Sequence, residues 1–195
     1  MLDLIIKNGQ CYIDGELKDV NVAVKDGKIH KIGDISEEGK EVINAEGQTV
    51  LPGCIDTQTH FREPGSTDTE DLHSGSRAAI AGGITSVFEM PNTNPPTSTK
   101  IEFKKKLDLA KDRMYCNYAF YFGATADNGS ELANLDKLEG CCGIKLFAGS
   151  STGNLLVAEE EDIDTVFKNS SKVVAVHSED EAILNMNKKL IKDGD

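Results

Sequence analysis

The sequence predicts an α/β fold in which five β-then-α units follow a small all-β segment, and three observations predict it. Up to residue 50, short apolar or alternating runs are split by Asn-Gly and Asp-Gly pairs, the pattern of strands joined by tight turns. Beyond that point, near-continuous apolar runs of strand length alternate with segments of helical length. Such runs mark strands buried on both faces, as in a parallel sheet covered by helices. Leu51-Pro52-Gly53 punctuates the chain between the two patterns, so the expected division is 1–52 and 53–195.

In the first segment the runs are Leu4-Ile5-Ile6, Val20 to Val24 and Lys28 to Ile32, separated by Asn8-Gly9, Asp14-Gly15 and Asp26-Gly27. They predict antiparallel hairpins, a thin sheet that needs another surface over one face. In the second segment Cys54-Ile55-Asp56 is a short strand and Asp68 to Ala81 a helix, followed by strand Ile84 to Glu89 and helix Lys100 to Arg113. Tyr115 to Phe122 with Ser130 to Leu138, Cys142 to Phe147 with Glu159 to Lys168, and Val173 to Val176 with Asp180 to Ile191 complete the units. Glu159-Glu160-Glu161-Asp162 belongs in a first helical turn, where acids complement the helix dipole. Lys104-Lys105-Lys106 reads as a solvated helix face in an acidic chain. Gly149 to Gly153 lacks the Gly-Lys-Ser/Thr of a phosphate loop and reads as a flexible βα loop. Periodicity alone leaves a flat doubly wound sheet and a barrel both open.

Composition excludes several classes. Lys and Arg number 21 against 33 Asp and Glu, a formal charge of −12 that argues against a general nucleic-acid binder. No apolar run approaches the roughly 20 residues of a membrane span, so no membrane partner is expected. Met1 to Ile6 lacks a basic then apolar leader, and five cysteines without scaffold spacing read as free thiols in a reducing cytoplasm. The expected location is cytoplasmic. At 195 residues the chain is short for a complete eight-fold α/β barrel, which takes about 250.

Four segments carry chemistry. Asp56-Thr57-Gln58-Thr59-His60-Phe61-Arg62-Glu63-Pro64-Gly65 follows the first strand of the second segment, where parallel α/β proteins place their sites. Residues two apart on a strand share a face, so Gln58, His60 and Arg62 are candidates to converge. His60 suits zinc as an imidazole ligand, although a lone His is more often a simple hydrogen-bonding residue. Glu89-Met90-Pro91-Asn92-Thr93-Asn94-Pro95-Pro96 is on structural grounds a Pro-stiffened loop. Its functional reading sets the Asn92 amide beside Arg62, whose planar fork matches a carboxylate. Lys145 interrupts the apolar strand Gly143 to Phe147; it is either a strand-end amine reaching solvent or a partner, or a lysine converted by carbon dioxide to a metal-bridging carbamate. His177 ends the apolar run Val173 to Val176, as a local helix cap or as a second strand-end ligand.

In this order PGCIDTQTHFREPG, FEMPNTNPPT, GIKLFAGSSTG and VVAVHSED resemble dihydroorotases and their cyclic-amidohydrolase relatives. The resemblance runs from the N-terminal hairpins through Asp180, and HFREPG and MPNT are its specific parts. It implies a partial TIM-type (β/α) barrel of about five units, preceded by half of a small β-sandwich that such enzymes build from both chain ends. It implies that His60 is the second His of a metal-binding HxH, that Lys145 is the carbamylated bridging lysine and that His177 is a further zinc ligand. Arg62 and Asn92 match the pair that holds the substrate's carboxylate. The implied activity is zinc-dependent hydrolysis of cyclic amides, interconverting dihydroorotate and N-carbamoyl-L-aspartate in pyrimidine biosynthesis.

Two departures qualify the match. Gln58 stands where HxH begins, and an amide oxygen is a poorer zinc ligand than imidazole, so this position is expected to be weak or lost. The family's His after strand six and its general-base Asp after strand eight have no counterpart within the 195 residues. The chain is therefore expected to be inactive alone, and to self-associate or to need a C-terminal half. The competing readings are a non-catalytic scaffold of the same fold and a hydrolase of a related cyclic ureide, of the dihydropyrimidinase, hydantoinase or allantoinase kind.

Overall fold

The structure, a computed structural model, describes residues 1–151 and 153–191; Thr152 of the expected loop and residues 192–195 of the expected second segment lie outside the described residues. The chain divides into two compact units, Met1–Cys54 and Ile55–Asp195.

The first unit contains β1 (Leu2–Lys7), β2 (Gln10–Ile13), β3 (Glu16–Asp19), β4 (Asn21–Lys25), β5 (Lys28–Gly33), β6 (Gly39–Asn44) and β7 (Thr49–Val50). They form two sheets, ordered β5-β4-β1-β6 and β3-β2-β7. Two of the expected hairpins are present, β2–β3 across Asp14-Gly15 and β4–β5 across Asp26-Gly27. All four turn residues have positive φ, between 52° and 86°, as the favoured two-residue turn demands. The third turn is not a hairpin. Asn8-Gly9 carries the chain from one sheet to the other, and β1 pairs antiparallel with β4 and parallel with β6. Asn8 holds this crossing through Asn44 Oδ1 at 2.9 Å and Asn21 Oδ1 at 3.2 Å. A Cβ on Gly9 would lie 2.8 Å from Val50 and 2.9 Å from Ala45, so the passage leaves no room for a side chain. Leu2, Ile5 and Ala23, with Ile35 against them, form this unit's small core.

β8 (Cys54–Thr59) leads into the second unit, which continues α1 (Leu72–Ala81), β9 (Ile84–Glu89), α2 (Lys100–Ala110), β10 (Asn117–Gly123), α3 (Gly129–Leu132), β11 (Cys141–Phe147), α4 (Glu160–Asn169), β12 (Val174–His177) and α5 (Glu181–Lys188). The sheet order β12-β11-β10-β9-β8 is sequence order, and the β9–β10, β10–β11 and β11–β12 pairs are parallel. Strands laid side by side in sequence with a helix after each are the arc of a (β/α) barrel; a doubly wound sheet would reverse direction partway.

The period of two sorts the strand residues. Val87, Phe120, Phe122, Ile144 and Leu146 pack into one core with Leu72, Phe103 and Val166 of the helices. Phe103 lies between Phe120 and Phe122, with ring centroids 6.3 and 6.2 Å away. Residues of the other parity, including Phe88, Tyr121 and Lys145, face away from the helices; Phe88 meets Tyr121 edge-on at 6.4 Å.

Element ends differ from expectation where capping decides them. α1 starts at Leu72 because Asp71 and Ser74 form a capping box, and α5 starts after Asp180, which accepts the Ile183 N–H. The expected helix over Ser130 to Leu138 is only α3 and a separate 3₁₀ turn, Leu135–Lys137. Ser171 divides them, accepting the Leu135 N–H while donating to the Leu132 carbonyl. The acids Glu160, Glu161 and Asp162 occupy the first turn of α4 as expected. The solvated reading of Lys104-Lys105-Lys106 is corrected at its last residue: Lys104 and Lys105 are exposed, but Lys106 is fully buried and paired with Glu89. The position falls on the face of α2 that carries Phe103 and Ala110, so helical phase overrides charge.

Candidate active site

Parallel strands in sequential order bring their C-terminal ends to one rim. His60 follows β8, Asn92 follows β9, Lys145 lies near the end of β11 and His177 ends β12. Register places Lys145 opposite Ala175 and Phe147 opposite His177.

The segment from Phe61 to Gly65 is held on all sides. Phe61 is buried against Gly75 of α1, where a Cβ would come within 2.4 Å of the ring. Glu63 is buried, accepts the Leu72 N–H at 2.9 Å, and receives both arms of Arg113 at 2.8 and 3.2 Å. Pro64 O accepts the Asn94 N–H at 2.9 Å, which ties this loop to the next. Between Phe61 and Glu63, Arg62 takes φ 58°, a left-handed conformation that a non-glycine residue keeps only where its neighbours impose it. Arg62 is half-buried and forms no ion pair among the described residues, so its guanidinium is available to an anion.

His60 Nδ1 lies 2.8 Å from Asn92 Oδ1. An amide oxygen only accepts, so Nδ1 carries the proton and Nε2 presents its lone pair. Burial holds the imidazole below its ordinary pKa against the Asn92 bond, and the nearby charges of Arg62 and Lys145 act in the same direction as burial. A neutral imidazole with one nitrogen anchored is the form that binds a metal. That contact uses the Asn92 amide oxygen and not its N–H groups. Lys145 is 3% exposed, and its amine sits 4.9 Å from the Phe147 ring centroid. Desolvation lowers its pKa, which favours the free amine that carbon dioxide requires. Phe147 stacks in turn on His177 at 6.1 Å. His177 Nε2 meets Glu179 Oε2 at 2.5 Å, a contact that does not involve Nδ1. Ser150 and His177 hold the Glu179 carboxyl below its usual range.

The structure thus sets Asn92 against His60, within reach of the charges of Arg62 and Lys145, and places Phe147 between the Lys145 amine and the His177 ring. Gln58 is exposed on β8, with its backbone N–H on Asp56 Oδ1 at 2.9 Å. No group of three or more His, Cys, Asp or Glu side chains forms a metal cluster among the described residues. In donor type, two imidazoles each anchored through one nitrogen and a buried amine fit one ion once that amine is a carbamate; Gln58 supplies no imidazole for a second. No two cysteines are bridged by a disulfide, and burial pushes the Cys142 thiol up to about 12 and raises Cys116 and Cys141, so none of these three is a thiolate nucleophile at neutral pH. Sequence reasoning missed Glu63, Arg113, Glu89 and Lys106. The one visible signal was Glu89 closing the apolar run ITSVFE, the same anomaly that flagged Lys145.

The model of the amidohydrolase family matches residues 49–192. The chain belongs to this family. Among amidohydrolases it is similar to dihydroorotases of Methanosarcina acetivorans, 37% identical over 98% of this chain and 42% of the relative, and Methanosarcina mazei, 36% identical over 98% and 43%. An allantoinase of Escherichia coli O127:H6 is 36% identical over 93% of this chain and 42% of its own length. A solved L-hydantoinase (dihydropyrimidinase) from Arthrobacter aurescens superposes with a TM-score of 0.89 at 29% identity, over 97% of this chain and 44% of that one. This amidohydrolase chain spans less than half the length of the relatives it matches.

Proposed function

We propose that this chain carries the carboxylate- and metal-binding portion of a dihydroorotase, which adds water across a ring amide of dihydroorotate to give N-carbamoyl-L-aspartate, and reverses that step in pyrimidine synthesis. The observation that carries the reading is the Arg62 guanidinium, free of any ion pair among the described residues, whose charge acts on the same His60 ring that takes the Asn92 oxygen. Arginine and amide N–H groups together recognise a planar carboxylate. Dihydroorotate has one; allantoin and unsubstituted cyclic ureides do not.

His60, carbamylated Lys145 and His177 are the residues proposed to hold zinc. Bound there, zinc would polarise the ring carbonyl and lower the pKa of water. The chain's own residues orient the substrate: Arg62 and Asn92 fix its carboxylate. No helix among the described residues is long and apolar enough to cross a membrane, and a cytoplasmic location belongs to this proposal.

Arg62→Met tests the reading. Dihydroorotate binding, measured by calorimetric titration, should weaken by about tenfold to a hundredfold, the loss expected for charged hydrogen bonds. Binding of uncharged dihydrouracil should change far less; equal losses remove the basis for the assignment. A second reading, a non-catalytic scaffold, is favoured by Gln58, and Gln58→His discriminates. A rise in zinc content or turnover shows that Gln58 limits an enzyme site, whereas no change in either favours the scaffold.

A further inference from the structure

Glu89 and Lys106 form an ion pair withdrawn from solvent, 1% and 0% exposed, on the helix-covered face of the sheet. Stability alone does not call for it, because well-packed apolar residues often replace such pairs at no loss. Its other bonds point to a geometric task. The Glu89 carboxylate also feels the backbone N–H of Phe61, the residue between His60 and Arg62, and the charge of Arg62 itself, both of which favour its charged form. Lys106 Nζ also donates to the Met90 carbonyl at 3.0 Å, just upstream of Asn92. The Phe120 ring, 5.2 Å from Nζ, closes another side. The two loops touch directly where the Met90 N–H meets the Thr59 carbonyl at 2.9 Å and where His60 meets Asn92. The pair, Glu89 ending β9 and Lys106 on α2, thus stands at the base of the second loop, which touches the first.

We propose that Glu89 and Lys106 are positioning residues that set the placement of Arg62 relative to Asn92, and so the preference for a cyclic amide bearing a carboxylate over an uncharged one. The proposal rests on the reading that Arg62 and Asn92 hold that carboxylate. An error of about 1 Å in such a clamp is enough to cost much of its grip.

The test uses the full chain, its Glu89→Met/Lys106→Met double variant and Glu89→Gln, whose carboxamide keeps an acceptor for the Phe61 N–H. Dihydroorotate and dihydrouracil are the titrated ligands, and Phe61 amide exchange is followed by NMR. In the double variant dihydroorotate should bind at least about tenfold more weakly, dihydrouracil should stay within about threefold, and Phe61 should exchange at least about tenfold faster. Glu89→Gln should stay within about threefold of the parent in all three measurements. Unchanged dihydroorotate affinity in the double variant, or equal loss of both ligands, overturns the proposal. So does a Glu89→Gln chain that loses dihydroorotate while Phe61 stays protected, and so does a double variant that does not fold, which would mark the pair as a stability element. Failure of the carboxylate reading has its own signature, a parent chain with no preference for dihydroorotate and an Arg62→Met chain no different from it. Phe61 exchange then decides alone: fast in the double variant and slow in Glu89→Gln upholds positioning, and slow in both overturns it.

Discussion

At position 60 the two nitrogens of one imidazole are made different, and the difference is set from outside. Asn92 fixes the proton on Nδ1 and at the same time supports the charged form of the ring, against burial, which disfavours it. Asn92→Leu removes that support, so the His60 pKa should fall further below the ordinary histidine value, which an NMR titration reads directly. Dihydroorotate affinity should drop by about tenfold in the same variant, because the amide donors go as well. An unchanged His60 titration would show that the hydrogen bond does not form in solution. Residues of this kind were legible because they are polar groups placed at the ends of apolar strands, where a site has to be. Lys106 was not: beside Lys104 and Lys105 it looks solvated, and only the phase it shares with Phe103 and Ala110 reveals the inward face. Glu63 and Arg113, 50 residues apart, carry no local signal of their pairing at all.

At the scale of elements, helices and loops constrain one another through close approaches that a pattern of apolar residues does not encode. Gly75 on α1 leaves the space that the Phe61 ring fills. Gly75→Ala should therefore destabilise the fold by about 1–3 kcal/mol, the range for overpacking, and push the Phe61 segment outward, with lower urea midpoint and weaker dihydroorotate binding together. Strand order and the alternation of strand and helix were readable for the opposite reason, since each unit announces itself within some twenty residues. The lengths of α3 and the role of Asn8-Gly9 were not, because a distant Ser171 and a crossing between sheets decide them.

α2 also makes a pH-dependent prediction. Burial raises the Glu89 carboxyl to about 7 even with Lys106 beside it. Lys106→Met removes the partner that lowers this value, so the folded-state pKa climbs further above the ordinary 4.5 while the unfolded one does not. The folded chain then holds a proton that the unfolded chain releases. Stability relative to the parent is preserved most fully below pH 4.5 and is lost as pH rises through the folded value. At pH near 8 the deficit should reach about 3–5 kcal/mol, the cost of an uncompensated buried charge, and at pH near 5 it should be clearly smaller. Equal deficits by urea unfolding at both pH values would mean that Glu89 is solvated in the variant.

Over the whole molecule, two opposing surface properties bear on whether copies associate. The sheet of the second unit ends on β8 and β12, each paired on one side only among the described strands. An edge strand with open N–H and C=O groups is a template for another strand. β12 adds apolar surface there, with Val176 38% exposed and Val173 beside it at 78%. Against this, a net charge of −12 makes every copy repel its neighbours at low salt. The balance predicts association that grows with protein concentration and strengthens as salt screens the repulsion, since the Debye length falls from about 10 Å at 0.1 M to about 3 Å at 1 M. Val176→Lys places a charge on the edge and should weaken the association constant, measured by sedimentation equilibrium, by about tenfold or more without lowering the melting temperature. A parent chain that stays monomeric at all concentrations and salt levels would show that the edge is shielded. A Val176→Lys chain that associates as strongly as the parent would move the contact away from β12, to the other apolar residues that the surface exposes.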